Sequence, residues 1–117
     1  EAYDRVVVAS PVYFANVSAQ LKTFIDRCQP FWVRKFLKEE RHPNADDRKA
    51  LFLCCGGFDT DRFFKCTRMV VKTWCICLDI ALSAELFFKG VDGRGDIDKH
   101  PTALQDAFEA GGALVSA

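Results

Sequence analysis

An α/β domain built on a parallel sheet is the fold this sequence predicts, and three observations predict it. Apolar runs at 6–9 and 50–55 are short and continuous, the pattern of strands covered on both faces, and Ala84-Glu85-Leu86-Phe87-Phe88 adds a third, shorter strand-like run. Stripes of apolar residues at helical spacing separate those runs. Strands that alternate with helices pair in parallel through right-handed crossovers.

The elements follow in order. Val6, Val7, Val8 and Ala9 form the first run, rich in β-branched residues. Pro11 has no N–H to give a ladder and biases Ser10 towards extended backbone, so the strand yields to a loop, Ser10-Pro11-Val12-Tyr13-Phe14-Ala15-Asn16. Val17, Leu21, Phe24, Ile25 and Cys28 then share one helical face, with Asn16 or Ser18 as the cap. The segment 30–49 is charged, and its stripe of Trp32, Val33, Phe36 and Leu37 reads as a short amphipathic helix. His42 follows in a loop and reads as solvated. The run from Ala50 to Cys55 is the second strand and ends at Gly56-Gly57. Asp59 or Thr60 is placed to cap a helix reaching about Asp79, with Phe63, Val70, Val71, Trp74 and Leu78 on its buried face. Ala84 to Phe88 is a third, shorter strand, and 89–98 a polar loop with glycines. Pro101 suits the first turn of a last helix carrying Leu104, Ala107, Phe108 and Leu114, which Gly111 and Gly112 are expected to cut short.

Length and charge bound what such a domain does. The 117 residues make a single domain, 1–117, and sixteen Lys+Arg balance sixteen Asp+Glu for a net charge of +0. That balance argues against a nucleic-acid partner, which draws on a basic excess. No apolar run approaches the roughly 20 residues of a membrane span. The N-terminus does not read as a signal peptide, since it lacks the basic start and the long apolar stretch; it is the reading of the cysteines as reduced thiols that points to a cytoplasmic protein. Six cysteines, at 28, 54, 55, 66, 75 and 77, sit mostly within apolar segments and read as buried, reduced thiols. There is no C-x-x-C, and His42 and His100 stand far from the cysteines in sequence, so no metal site is nominated. Neither phosphate-binding glycine motif appears, no Ser/His/Asp set stands out, and Asp92, Asp96 and Asp98 read as solvated loop charges. No catalytic acid or base is nominated.

In a parallel sheet, ligands bind beyond the carboxyl ends of the strands. Two loops of unusual composition fall there. A planar ligand needs flat surfaces and a few edge hydrogen bonds. Pro11, Tyr13 and Phe14 supply surfaces, the peptides from Val12 to Asn16 supply edge groups, and the following helix turns its N-terminal amides to the loop. Gly56-Gly57 permits close backbone approach, with Phe58 as a wall. On residues alone, each loop also reads as a plain turn.

The first loop and helix carry a longer pattern: Ser10, Pro11, Val12, Tyr13, Phe14, Val17, Ser18, Leu21, Lys22, Phe24, Asp26 and Arg27. It resembles the signature of the flavodoxin-fold NAD(P)H-dependent flavin reductases, including the flavoprotein half of iron–sulfur flavoproteins. The resemblance implies a flavodoxin-like three-layer parallel sheet, of which this chain supplies the C-terminal portion, strands 3–5. The first two βα units, with the loop that grips the FMN phosphate, would lie outside it in a longer protein, as would the family's cysteine cluster. It further implies that FMN is the cofactor, its ring held by Ser10, Pro11, Val12, Tyr13, Phe14 and Asn16 on one side and Gly56, Gly57 and Phe58 on the other. NAD(P)H would be the hydride donor, a protein or small molecule the acceptor, and the assembly a homodimer or homotetramer. Two other readings stay open: a flavodoxin-type electron carrier without nicotinamide turnover, and a non-catalytic α/β interaction module without cofactor. The sequence departs from the pattern at Ala15, where glycine is common, so a stiffer loop is expected. With strand 1 outside the chain, Val6 to Ala9 would form an exposed apolar edge.

Overall fold

In the computed structural model, which describes residues 3–116, the strands Arg5–Pro11 (β1), Lys49–Cys55 (β2) and Ala81–Phe88 (β3) pair side by side in the order β1-β2-β3, all parallel. This is the α/β architecture expected, and the order is the one the resemblance implies for the last three strands. The extreme ends of the 1–117 domain lie outside the described residues.

Four helices pack around the sheet: Ala19–Asp26 (α1), Gln29–Trp32 (α2), Phe64–Cys77 (α3) and Ala103–Ser116 (α4). Val8, Ala50, Phe52 and Cys54 form one core with Val71, Trp74, Cys75 and Leu78. Phe87 joins it, its ring 5.7 Å from Phe52 and 5.1 Å from Phe64. On the opposite side α4 lies against β2 and β3, where Leu51, Phe88, Ala103 and Leu114 are buried. Burial of a Leu or Phe side chain contributes about 1.5–3 kcal/mol. α4 meets β1 at Arg5, whose Nε donates to the Leu114 carbonyl at 2.8 Å, and leaves Val7 uncovered. Val7 is 55% exposed, and among the described residues no strand pairs with the outer edge of β1. The edge expected at Val6 to Ala9 is therefore unpaired, but its side chains are exposed only at Val7 and Ala9; Val8 is buried and Val6 partly so.

Several boundaries differ from the sequence expectation, each for a local reason. β3 begins at Ala81 because Ser83 forms a bulge: the register steps from Ala50–Leu82 to Leu51–Ala84, and the Ser83 hydroxyl donates to the Ala50 carbonyl at 3.0 Å. The helix expected from Asp59 or Thr60 starts only at Phe64 and has no side-chain cap, because 61–63 form a turn. α1 does use Ser18, whose Oγ accepts the Leu21 N–H at 3.3 Å. The short helix continues from α2 into a wider π-helical turn, Val33–Leu37. Pro101 precedes the last helix, which runs through Gly111 and Gly112 to Ser116.

His42 is not solvated but 7% exposed. Its backbone N–H donates to Asp79 Oδ2 at 2.8 Å, and its Nδ1 accepts the Asn44 N–H at 3.1 Å. Asp79 also pairs with Lys35, so one buried carboxylate ties the π-helical turn and the 38–48 loop to the end of α3. Arg48 anchors the same end of the sheet by donating to the Leu78 carbonyl at 2.7 Å.

The cysteines divide by position. Cys54, Cys75 and Cys77 are buried and Cys28 and Cys55 partly so, while Cys66 is exposed and departs from the reading of buried thiols. Burial pushes the Cys54 thiol up to about 11 and the Cys75 thiol up to about 12. Both stay protonated at neutral pH, and the thiolate is the reactive and metal-binding form.

Candidate functional site

The carboxyl ends of the three strands are laced together by backbone hydrogen bonds. Val12 N–H donates to Cys55 O at 2.8 Å, Gly56 N–H to Phe88 O at 3.0 Å, and Val91 N–H back to Gly56 O at 2.9 Å. The loops after β1, β2 and β3 therefore meet at one rim.

The first loop is a two-residue hairpin turn. Tyr13 N–H donates to Asn16 O at 2.9 Å and Asn16 N–H to Tyr13 O at 3.1 Å. The residues between them, Phe14 and Ala15, have φ of 48° and 62°. Positive φ at both central positions marks the type I′ turn, which favours Asn-Gly. Phe14 and Ala15 hold it at a cost of about 1–2 kcal/mol each. Ser10 explains how. Its buried hydroxyl donates to Pro11 O at 2.8 Å and accepts the Ser18 N–H at 3.0 Å, stapling the two ends of the loop. Asn16 Oδ1 accepts the Val17 N–H at 2.8 Å and steadies the exit. The strain turns aromatic surface outward: Phe14 is fully exposed and Tyr13 59% exposed. The loop rings are not plugged into the interior. Strained backbone of this kind concentrates at binding sites.

The departure at Ala15 can thus be tested as a stability effect. Ala15→Gly removes the left-handed cost of about 1–2 kcal/mol and adds about 0.4–1 kcal/mol of unfolded-state freedom. A net gain of about 0.5 kcal/mol is expected in urea denaturation, with the pocket unchanged; a loss of stability would contradict the left-handed turn.

Opposite the hairpin lies the glycine turn. A Cβ on Gly56 would stand 3.3 Å from Val12 Cγ2 and 3.4 Å from the Phe64 ring, and one on Gly57 only 2.9 Å from Asp92 Oδ1. The close approach these glycines permit is made by Val12 and by the loop after β3. Phe58 stands outward, 71% exposed, with its ring 5.0 Å from Phe63.

Between the two loops opens a pocket of about 740 Å³. Of the residues expected from the sequence, Val12, Tyr13, Phe14, Gly56, Gly57 and Phe58 line it. Ser10, Pro11 and Asn16 stand behind the lining, where they shape the loop. The N-terminus of α1, expected to direct amides at the ligand, is taken up by Ser18 and does not border the pocket. Sequence reading missed Ala15, Thr60, Phe63, Phe64 and Asp92 in the lining. Phe63 and Phe64 could have been found from the aromatic run after the glycine turn. Asp92 had no local signal, because only the meeting of the β2 and β3 loops puts it there.

The lining is chiefly apolar and aromatic, and Asp92 carries its one formal charge. Such a slot suits a flat, uncharged ring with polar edges. FMN fits it through its ring rather than its phosphate, since no Lys or Arg is among the lining residues. No metal-binding cluster of His, Cys, Asp or Glu occurs among the described residues.

Comparisons with known proteins bear on the fold and the family. A 38-residue stretch, 32% of the chain, is 58% identical to an iron–sulfur flavoprotein of Archaeoglobus fulgidus. It spans only 17% of that relative's length. The chain also superposes on a solved structure titled the Trp repressor binding protein from Bacillus subtilis, with a TM-score of 0.68 and 20% sequence identity. That alignment covers 91% of this chain and 67% of the other, and establishes a flavodoxin-like α/β fold. The NADPH-dependent FMN reductase family matches residues 1–61, a span that contains both the strained hairpin and the glycine turn, and the chain belongs to that family.

Proposed function

We propose that this chain forms the ring-binding half of a flavin-dependent oxidoreductase, with FMN lying between the Tyr13–Phe14 hairpin and the Gly56–Phe58 turn. The observation that carries the reading is the hairpin itself: strained backbone, stapled by Ser10, holds two aromatic residues outward at the mouth of an open pocket. Family membership supports flavin as the ligand class. When bound, FMN supplies the redox chemistry, taking hydride from NAD(P)H and passing electrons to an acceptor.

The chain's own residues bind and orient. Tyr13 and Phe58 offer flat contact surface, and the peptides of the two loops offer edge donors and acceptors. Phe63 and Phe64 add apolar lining that would keep water from a bound ring. No side chain is assigned a proton-transfer role. The FMN phosphate falls to residues outside the lining. A homodimer or homotetramer in the cytoplasm, with a small-molecule or protein acceptor, completes the proposal; no helix among the described residues is long and apolar enough to cross a membrane.

Anaerobic mixing of the FMN-loaded protein with NADH or NADPH tests the reaction. Bleaching of the visible flavin bands at a saturable rate is expected with one of the two nucleotides. A loaded protein that dithionite bleaches but neither nucleotide does would be an electron carrier instead.

A further inference from the structure

We propose that Asp92 is the polar recognition group of this pocket, accepting a hydrogen bond from the imide N–H of the bound ring. The inference rests on the flavin reading above and adds a specificity residue to it.

The loop after β3 holds two neighbouring carboxylates that do different things. Asp96 is spent on the loop itself: it accepts the Gly93 N–H at 2.8 Å and the Asp92 N–H at 3.2 Å. Those backbone donors hold its pKa below the ordinary carboxylate range. Gly95, at φ 86°, supplies the left-handed residue that lets the chain turn back there. Further bonds clamp the other end of the loop: Val91 N–H to Gly56 O at 2.9 Å and Gly90 N–H to Phe58 O at 3.3 Å. The Asp92 backbone is thus fixed from both sides.

Its side chain is placed by that framework. The Asp92 carboxylate packs against Gly57, its Oδ1 2.9 Å from where a β-carbon there would stand, and borders the pocket. Among the described residues it has no hydrogen-bond or ion-pair partner, so its acceptor sites face the pocket and solvent.

The chemistry of the ligand then restricts what Asp92 reads. An ionised carboxylate only accepts hydrogen bonds. The oxidised isoalloxazine ring has several acceptors but a single N–H, on the imide nitrogen. A carboxylate in contact with the ring's acceptors would be repelled, so the imide edge is the one it favours. Charge-assisted hydrogen bonds of this type are about twice as strong as neutral ones.

Lumiflavin and 3-methyllumiflavin, which differ only by a methyl group on the imide nitrogen, provide the test. Both lack the ribityl phosphate, so their affinities report the ring pocket alone, and ring fluorescence quenching reads both. The native protein is expected to bind lumiflavin about tenfold more tightly than its methyl analogue. In Asp92→Ala the ratio should fall to near one, both because the acceptor is lost and because space opens for the methyl group. Asp92→Asn keeps an acceptor oxygen without the charge and should retain a severalfold preference. Asp92 is exposed on a loop, and circular dichroism confirms that the variants fold. A preference that survives unchanged in Asp92→Ala, or equal affinity of the native protein for the two compounds, would overturn the assignment while leaving flavin binding intact. Failure of the native protein to bind either compound would instead remove the flavin reading, and this inference with it.

Discussion

Gly56→Leu is expected to weaken flavin binding by at least about 100-fold while leaving the sheet in place. A Cβ at this position already meets Val12 Cγ2 at 3.3 Å and the Phe64 ring at 3.4 Å, both walls of the pocket. A leucine has nowhere to go except between the two loops. It would wedge the Val12 side of the hairpin away from the glycine turn and fill the slot meant for the ring. Overpacking of this kind costs about 1–3 kcal/mol of stability, while losing a site of two flat walls costs two or more decades of affinity. Fluorescence titration with FMN measures the second effect and urea denaturation the first. Full-strength binding by a folded Gly56→Leu protein would place the ring elsewhere.

Asp79→Asn should destabilise the fold by about 2 kcal/mol at neutral pH, the range for hydrogen bonds to a charged group. Asp79 sits at φ 55° just past α3, where asparagine is also tolerated, so the substitution isolates the charge. The carboxylate joins Lys35 and the His42 backbone N–H to the end of α3, about 40 residues further along the chain. Burial raises its pKa, but the hydrogen bonds from Lys35 and His42 and the charges of Lys35 and Arg41 outweigh that and leave it lowered. The sign follows. A group whose pKa falls on folding stabilises fully above its unfolded value, about 3.9, and stops doing so as pH drops through the lower folded value. The gap between native and Asp79→Asn proteins in denaturant midpoint should therefore be constant near neutrality and close below about pH 4. A gap that widens in acid would contradict the ion pair.

The parts legible in the sequence were those governed by local pattern. Continuous runs of Val, Leu and Phe marked the strands, and the proline and glycine turns marked their carboxyl ends. Ser18 could be picked as a cap because it stands directly before a helical stripe. The residues that line the site, from Val12 to Phe14 and from Gly56 to Phe58, were legible because both loops fall on the same edge of a parallel sheet. What escaped depends on contacts distant in sequence. Asp92 reaches the pocket only through bonds between the β2 and β3 loops. His42 is buried because Asp79, 37 residues on, accepts its N–H. The third strand was expected only from Ala84, and it reaches back to Ala81 through a bulge at Ser83, whose hydroxyl donates to Ala50 O. Ser10 was assigned to the ligand on its motif, yet its hydroxyl is committed to Pro11 and Ser18, so its contribution is the shape of the hairpin.

Where a flavin ring sits is the most direct question, and a crystal structure of the protein soaked with FMN answers it. Ring density between Tyr13 and the Gly56–Phe58 turn, with the hairpin still in its left-handed conformation, is the expected result. Density for the ring outside that slot, or a slot that stays empty while flavin is bound elsewhere, would contradict it.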